Sequence, residues 1–263
     1  MVQTISSRLT ATCSVSTAQC CFMDCQLYQI HYINESKTWT EAQQYCREKH
    51  TDLVTVTNMK DMKRLINISA KVKSEAWIGL TNTWRWSDGS SFSFRHWNND
   101  FKNVEHNRDQ CAVAVFYGKG RWKNVNCAER KPFICYDDNV ILIKENKTWK
   151  DALTYCRGHH HDLVTITNME DQIWIQEKVK NASTPFVWIG LCYAWTLHFW
   201  FWVSDEVVRY ENWASCPKMN DCDMSGAMET RGGHKWLEKE DSETFNFICC
   251  SVRTSQSEQR GGS

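Results

Sequence analysis

Apolar positions along the chain follow a helical spacing and then a β-prone one, and the same succession occurs twice. Trp39, Ala42, Tyr45 and Cys46 recur at three- and four-residue intervals, which lays them along one face of a helix. Trp149, Ala152, Tyr155 and Cys156 repeat the pattern. Thr38-Trp39-Thr40-Glu41 opens the first helix as a capping box: the hydroxyl accepts from a first-turn amide and Glu41 reaches back. Thr148-Trp149-Lys150-Asp151 is a shorter-armed version. Cys46 and Cys156 therefore point inward, placed for core disulfides. A second helix is predicted from Asn58, with Asp61 three residues on, carrying Met62, Leu65 and Ile66 inward; Asn168 and Asp171 start its copy. Tryptophan-rich, β-prone stretches broken by Ser, Asp, Gly and Asn follow, ending in short strands at residues 112–116 and 131–135. Helices first and strands later is an α+β pattern.

The succession is a duplication. Residues 37–62 and 147–172 are identical at 16 of 26 positions. Farther on, Trp77-Ile78-Gly79-Leu80 recurs as Trp188-Ile189-Gly190-Leu191, Trp122 as Trp236, Phe133-Ile134-Cys135 as Phe247-Ile248-Cys249, and Cys111 is matched to Cys222. A repeat at about 110 residues agrees with the two domains expected of 263 residues.

Charge and cysteine content narrow the function. Basic and acidic residues balance at 31 each, so no global field draws the chain to nucleic acid or to an anionic membrane surface. Apolar content of 42% excludes disorder for most of the chain. Fourteen cysteines without a Cys-x-x-Cys pair point to disulfides and an extracellular, secreted or cell-surface glycoprotein, with Asn-x-Ser/Thr triplets at Asn34, Asn67, Asn146 and Asn181. No signal peptide is visible in the first 25 residues. Cys13, Cys20, Cys21 and Cys25 there could ligate a metal with His31, but their spacing matches no standard site, and thiols or disulfides are the better reading.

These residues resemble the C-type lectin-like domain. The likeness lies in the Trp-x-x-Ala-x-x-Tyr-Cys of residues 39–46, the Trp-Ile-Gly-Leu strand, Trp86-Ser87-Asp88-Gly89, Trp97-Asn98, Cys111, Trp122, Cys127 and the closing Phe-Ile-Cys. It covers residues 27–136 and again 137–250, leaving residues 1–26 unassigned and residues 251–263 as a polar tail expected to be disordered. The resemblance implies two tandem domains, each with two helices and short antiparallel strands, stabilised by the pairs Cys46 with Cys135, Cys111 with Cys127, and Cys156 with Cys249. In the second copy, counting on from Trp236 reaches Asp241 where the first has Cys127. Cys222 is thus left to pair with Cys216 or Cys192, or to stay free.

Sugar-binding members of this family hold calcium with a Glu-Pro-Asn triplet in the long loop and an Asn-Asp pair after the tryptophan, hard oxygen donors that suit the ion. Here the triplet position reads Phe101-Lys102-Asn103 and Trp122 is followed by Lys123-Asn124; the second copy has Pro217-Lys218-Met219-Asn220 and Leu237-Glu238. Neither set is intact. Asn103, Glu105, Asp109 and Asn124 remain as weak calcium candidates, and a Lys123 facing the pocket would repel the ion. No cofactor is therefore expected, and calcium is disfavoured. The resemblance implies recognition of a glycan, weak or calcium-independent, or else of an extracellular protein. Trp97, Asn103, Glu105, Lys123, Asn124, Trp213, Asn220 and Glu238 are the candidate ligand-binding residues.

Three sharper readings give way to plainer ones. His159-His160-His161 suggests zinc, but adjacent histidines rarely converge on one ion, so a solvated helix end is expected. Residues 187–203 carry no formal charge over a length near the lower limit for a membrane helix, yet their counterpart in the first copy is a strand and turn containing Arg85, so an insertion in the same framework is expected. Glu238 with Asp241 could be imagined as a catalytic carboxylate pair, but no hydrolase motif occurs and the first copy has Asn124 and Cys127 there. No enzyme is expected.

Overall fold

The computed structural model describes residues 26–68, 74–81, 83–98, 109–116, 121–194, 197–217 and 223–251. The chain divides into two compact units, residues 28–138 and a unit that begins again at Asn139. In the first unit the order is β1 (Tyr28–Lys37), α1 (Trp39–Lys49), β2 (Asp52–Leu53), α2 (Met59–Ile68), β3 (Glu75–Trp77), β4 (Gln110–Val115), β5 (Trp122–Asn126) and β6 (Lys131–Asp138). The second runs β7 (Val140–Lys147), α3 (Trp149–His159), β8 (Asp162–Leu163), α4 (Met169–Val179), β9 (Phe186–Ala194), β10 (Phe199–Trp202), β11 (Met224–Glu229), β12 (Trp236–Glu240) and β13 (Phe245–Cys250). Both are α+β.

The strand order of the first sheet is β1-β6-β3-β4-β5, with β2 on β6; that of the second is β12-β11-β9-β13-β7, with β10 on β9 and β8 on β13. The first and last strands of each unit pair antiparallel, β1 with β6 and β7 with β13, so each unit closes on its own ends. β1 lacks clear alternation of buried and exposed positions, and accordingly no strand is predicted there from sequence.

Helix α1 begins as its sequence requires: Thr38 accepts from Glu41 N–H, and Glu41 accepts from Thr38 N–H at 2.9 Å. In α3 the shorter Asp151 carboxylate instead accepts from the Thr148 hydroxyl at 2.8 Å. Their inward faces carry Trp39, Ala42 and Cys46, and Trp149, Ala152 and Cys156. In α2, Met62 and Leu65 are buried but Ile66 is only half-buried, contrary to the expectation of an inward Ile66. Asp61 is buried instead, and its carboxylate accepts from Thr57 N–H at 2.9 Å, the Thr57 hydroxyl at 2.6 Å and the Tyr28 hydroxyl.

Each core is built around indoles, and those at the repeated framework positions find acceptors for their N–H groups, as burial demands, whereas the buried Trp200 Nε1 of the second unit has no hydrogen-bond partner among the described residues. Trp39 and Trp149 donate to the carbonyls of Ile78 and Ile189 at 2.9 and 3.0 Å, while Trp77 and Trp188 donate to Lys37 and Lys147 at 3.0 and 2.9 Å. The glycine of Trp-Ile-Gly-Leu is a close-approach position. A Cβ on Gly79 would lie 2.9 Å from the Leu53 carbonyl oxygen, and one on Gly190 would lie 2.9 Å from that of Leu163.

Disulfides join Cys46 to Cys135, Cys111 to Cys127 and Cys156 to Cys249. Cys250 is disulfide-bonded as well, a bond for which the sequence gives no signal. Cys216 is an exposed free thiol and therefore does not pair with Cys222. Residues 187–203 contain the antiparallel pair β9 and β10, so the uncharged run is a hairpin within the sheet. Among the described residues no helix is long and apolar enough to cross a membrane. Cys13, Cys20, Cys21, Cys25 and residues 252–263 lie outside the described residues.

Candidate functional site

In each unit the strand that starts with the framework tryptophan is met by the returning loop. Trp122 N–H donates to His96 and its carbonyl accepts from Asn98 N–H, at 2.7 and 2.8 Å. Trp236 makes the same two bonds with Asn212 and Ala214, both at 2.9 Å. These bonds hold Trp97 and Trp213 beside the strand, half-buried, with their rings packed near-perpendicular to Trp122 and Trp236 at centroid distances of 5.8 Å. Trp97 also packs edge-on to Trp84, and Trp213 lies 4.9 Å from the Trp200 ring. Part of each indole is thus committed to the framework.

The side chains after Trp122 are engaged across the sheet. Lys123 forms an ion pair with Glu75 of β3, and Asn124 donates to the Gln110 side chain at 3.2 Å. Burial raises the Glu75 carboxyl, but Lys123 and Lys131 outweigh it and hold the group below its ordinary value. A Lys123 facing a calcium pocket would repel the ion, but here the side chain pairs with Glu75. Its charge is already spent on Glu75, and the missing carboxylate is what remains of the argument against calcium. Asp109 takes a left-handed backbone conformation (φ 64°) and its carbonyl accepts from Cys127 N–H at 2.8 Å. In the second unit Leu237 and Glu238 are half-buried on β12, with Glu238 opposite Gly226. Phe101, Lys102, Asn103, Glu105, Lys218, Met219, Asn220 and Cys222 lie outside the described residues.

The inner bridge of the first unit has a counterpart that the sequence reading misplaced. Cys111 lies opposite Val125 on β5, and the matching position opposite Lys239 on β12 is Ser225, not a residue near Cys222. Asp241 N–H donates to the Asp223 carbonyl at 2.9 Å, as Cys127 N–H does to that of Asp109. Ser225 and Asp241 thus stand where Cys111 and Cys127 are bonded. A signal was present, since Ser225 precedes Trp236 by the same interval as Cys111 precedes Trp122. Burial pushes the Asp241 carboxyl up, Ser225 opposes that, and the nearby Asp223 charge adds to it. Ser225 Oγ and Asp241 Oδ1 are buried without a hydrogen bond of ordinary geometry.

A second exchange lies beneath the same strands. Trp122 Nε1–H points at Met62 Sδ (3.1 Å), whereas Trp236 Nε1–H donates to Gln172 Oε1 at 2.9 Å. Gln172 is fully buried, and its amide donates to the His234 carbonyl at 3.1 Å. Replacing Gln172 by Leu leaves the Trp236 donor unpaired, so urea unfolding followed on the second unit is expected to show a loss of about 1–3 kcal/mol. Gln172→Met, which copies the first unit, should cost less.

His159, His160 and His161 take separate tasks. His159 stacks on Tyr155, while His160 and His161 donate through their backbone N–H groups to the Cys156 and Cys250 carbonyls. They do not form a metal cluster.

Two disulfide-stabilised α+β units, each opening on a strand that pairs with its own last strand and carrying a loop that returns beside a framework tryptophan, define tandem lectin-type folds. The model of the Lectin C-type domain matches residues 35–137 and 145–251, and the chain belongs to that family. Human C-type mannose receptor 2 is 26% identical over 209 residues, covering 68% of this chain and 14% of the receptor. The secretory phospholipase A2 receptor of Pongo abelii is 23% identical over 261 residues, covering 84% of this chain and 18% of the receptor. The chain therefore spans less than a fifth of the length of either relative. Among solved structures, human lithostathine is similar at 23% identity and a TM-score of 0.40, over 43% of this chain and 94% of its own.

Proposed function

We propose that this chain is an extracellular recognition module that binds carbohydrate weakly and without a calcium bridge. The observation that carries the reading is at β5: Lys123 is paired with Glu75 and Asn124 with Gln110, where a calcium-bridged sugar site needs oxygen donors directed at one ion. Binding then falls to the half-buried Trp97 and Trp213 and to polar side chains, with Asn103, Glu105 and Asn220 of the loops and Glu238 of β12 as the candidates. A secretory route is supported by Asn34, Asn67, Asn146 and Asn181, all exposed and thus open to glycosylation. The relatives are receptors by their names, and no catalytic role is part of this reading.

A second reading, a protein ligand, is favoured by one observation. Leu197, Phe199 and Val207 are exposed around the β9–β10 hairpin of the second unit, at 66, 41 and 66%, and apolar surface suits a protein better than a sugar. The whole chain on a glycan array, in millimolar calcium and again in a chelator, tests both. Equal glycan signals in the two conditions are the expected result. Signals abolished by the chelator refute the calcium-free mechanism, and a blank array with capture of one defined extracellular protein favours the second reading.

A further inference from the structure

The first unit carries a side-chain cluster that shares no residue with the candidate ligand-binding set and has no equivalent in its copy. His31 Nε2 lies 2.9 Å from Asp137 Oδ2, and His50 Nδ1 lies 3.3 Å from each carboxylate oxygen. The two imidazoles are stacked, with centroids 4.5 Å apart. Three elements supply the groups: β1 gives His31, the C-cap of α1 gives His50, and β6 gives Asp137. All three donor atoms fall within 4.8 Å of one another, and among the described residues this is the one His/Cys/Asp/Glu group that does so.

We propose that His31, His50 and Asp137 form a binding site for a divalent transition-metal ion of the zinc type. Two imidazole nitrogens and one carboxylate suit a borderline ion such as Zn²⁺, whereas calcium takes oxygen ligands in larger number. Metal bonds of about 2.0–2.1 Å in a tetrahedral shell put donor atoms about 3.3 Å apart. The contacts of Asp137 with His50 already have that spacing, and the contact with His31 needs to lengthen by a few tenths of an ångström. The two rings must also turn so that their nitrogens converge. The His31 side chain, one-third exposed, has room for this, while Asp137 stays largely buried as the fixed ligand.

Proton bookkeeping is simple. Each neutral imidazole that donates to Asp137 moves its proton to its other ring nitrogen, so both become ligands without a change of charge on the protein. Three protein ligands leave a fourth position for water.

The second unit supplies the control, because it keeps only one of the three groups. His160 corresponds to His50, but Ile141 stands opposite Cys249 where His31 stands opposite Cys135, and Ser251 follows where Asp137 would be. The proposal stands whether or not either unit binds a sugar.

The experiment is calorimetric titration of the metal-stripped, oxidised full chain with zinc chloride, followed by the visible spectrum of the cobalt-loaded protein. One ion per chain is expected, with at least a tenfold loss of affinity in Asp137→Asn and in His31→Gln and none in the His159→Gln, His161→Gln double variant. His31→Gln replaces a partly exposed side chain, so it remains informative if Asp137→Asn does not fold, and near-UV circular dichroism establishes which variants are native. The proposal is overturned if the full chain takes up no zinc. It is equally overturned if stoichiometric zinc survives His31→Gln in folded protein, or if it is lost with the second unit's histidines.

Discussion

Replacing Cys46 and Cys135 together by alanine is expected to lower the stability of the first unit by about 4–5 kcal/mol, and to do so without a comparable effect on the second. The bond closes a sequence separation of 89 residues, so breaking it returns a large loop entropy to the unfolded chain. Both sulfur atoms are fully buried between α1 and β6, where the shorter alanines also leave a small void. A unit of this size has a stability of roughly 5–15 kcal/mol, so the loss takes a large share of it. By the same model the Cys111–Cys127 bond, with a separation of 16, contributes about 3 kcal/mol. Urea unfolding of the two double-alanine variants should therefore rank them with Cys46/Cys135 the more damaging. Equal midpoints for that variant and the parent would show that the loop-entropy account does not apply to this bond.

Much of this framework was legible because it rests on local rules that need no knowledge of the rest of the chain. Thr38 and Glu41 can satisfy each other within one turn, and helical spacing alone puts Trp39, Ala42 and Cys46 on one face. What the sequence concealed depends on partners far away in the chain. Ile66 has the same local pattern as Leu65, but Asp61 could take an inward position because Thr57 and the distant Tyr28 satisfy its carboxylate. Strand β1 shows no alternation to read, and its place is set by pairing with β6 about a hundred residues later.

The candidate site was less legible for the same reason. A lysine after Trp122 could be seen, but its direction could not, since Glu75 lies in a separate segment and reaches Lys123 only across the sheet. His31, His50 and Asp137 are likewise separated by 19 and 87 residues, and no short motif brings them together. Only the register of β1 on β6, with His31 opposite Cys135, and the end of α1 place them at one point. Matching Cys111 with Cys222 went astray because cysteine was aligned with cysteine, whereas the interval to the following tryptophan pointed to Ser225.

That corrected register leads to the second large effect: Ser225→Cys with Asp241→Cys is expected to form a disulfide and to stabilise the second unit by about 3 kcal/mol. Backbone placement is the same as at Cys111 and Cys127, where the Cα atoms are 5.1 Å apart, and the sequence separation is again 16, for which loop entropy gives about that figure. The change also removes Asp241, whose carboxyl burial raises above its ordinary 3.8. The folded state therefore binds more protons than the unfolded chain between that value and the raised one, so stability falls as pH rises through this window and the full cost is present at neutral pH. The double-cysteine variant loses this contribution, and its advantage over the parent should grow as pH rises through the window before levelling off. Urea titrations at several pH values, with thiol counting to establish closure of the bond, check both parts. A closed bond with no gain at neutral pH would mean that the strands of the second unit must strain to hold it, and that Ser225 and Asp241 do not stand in the geometry of the first unit's cysteines.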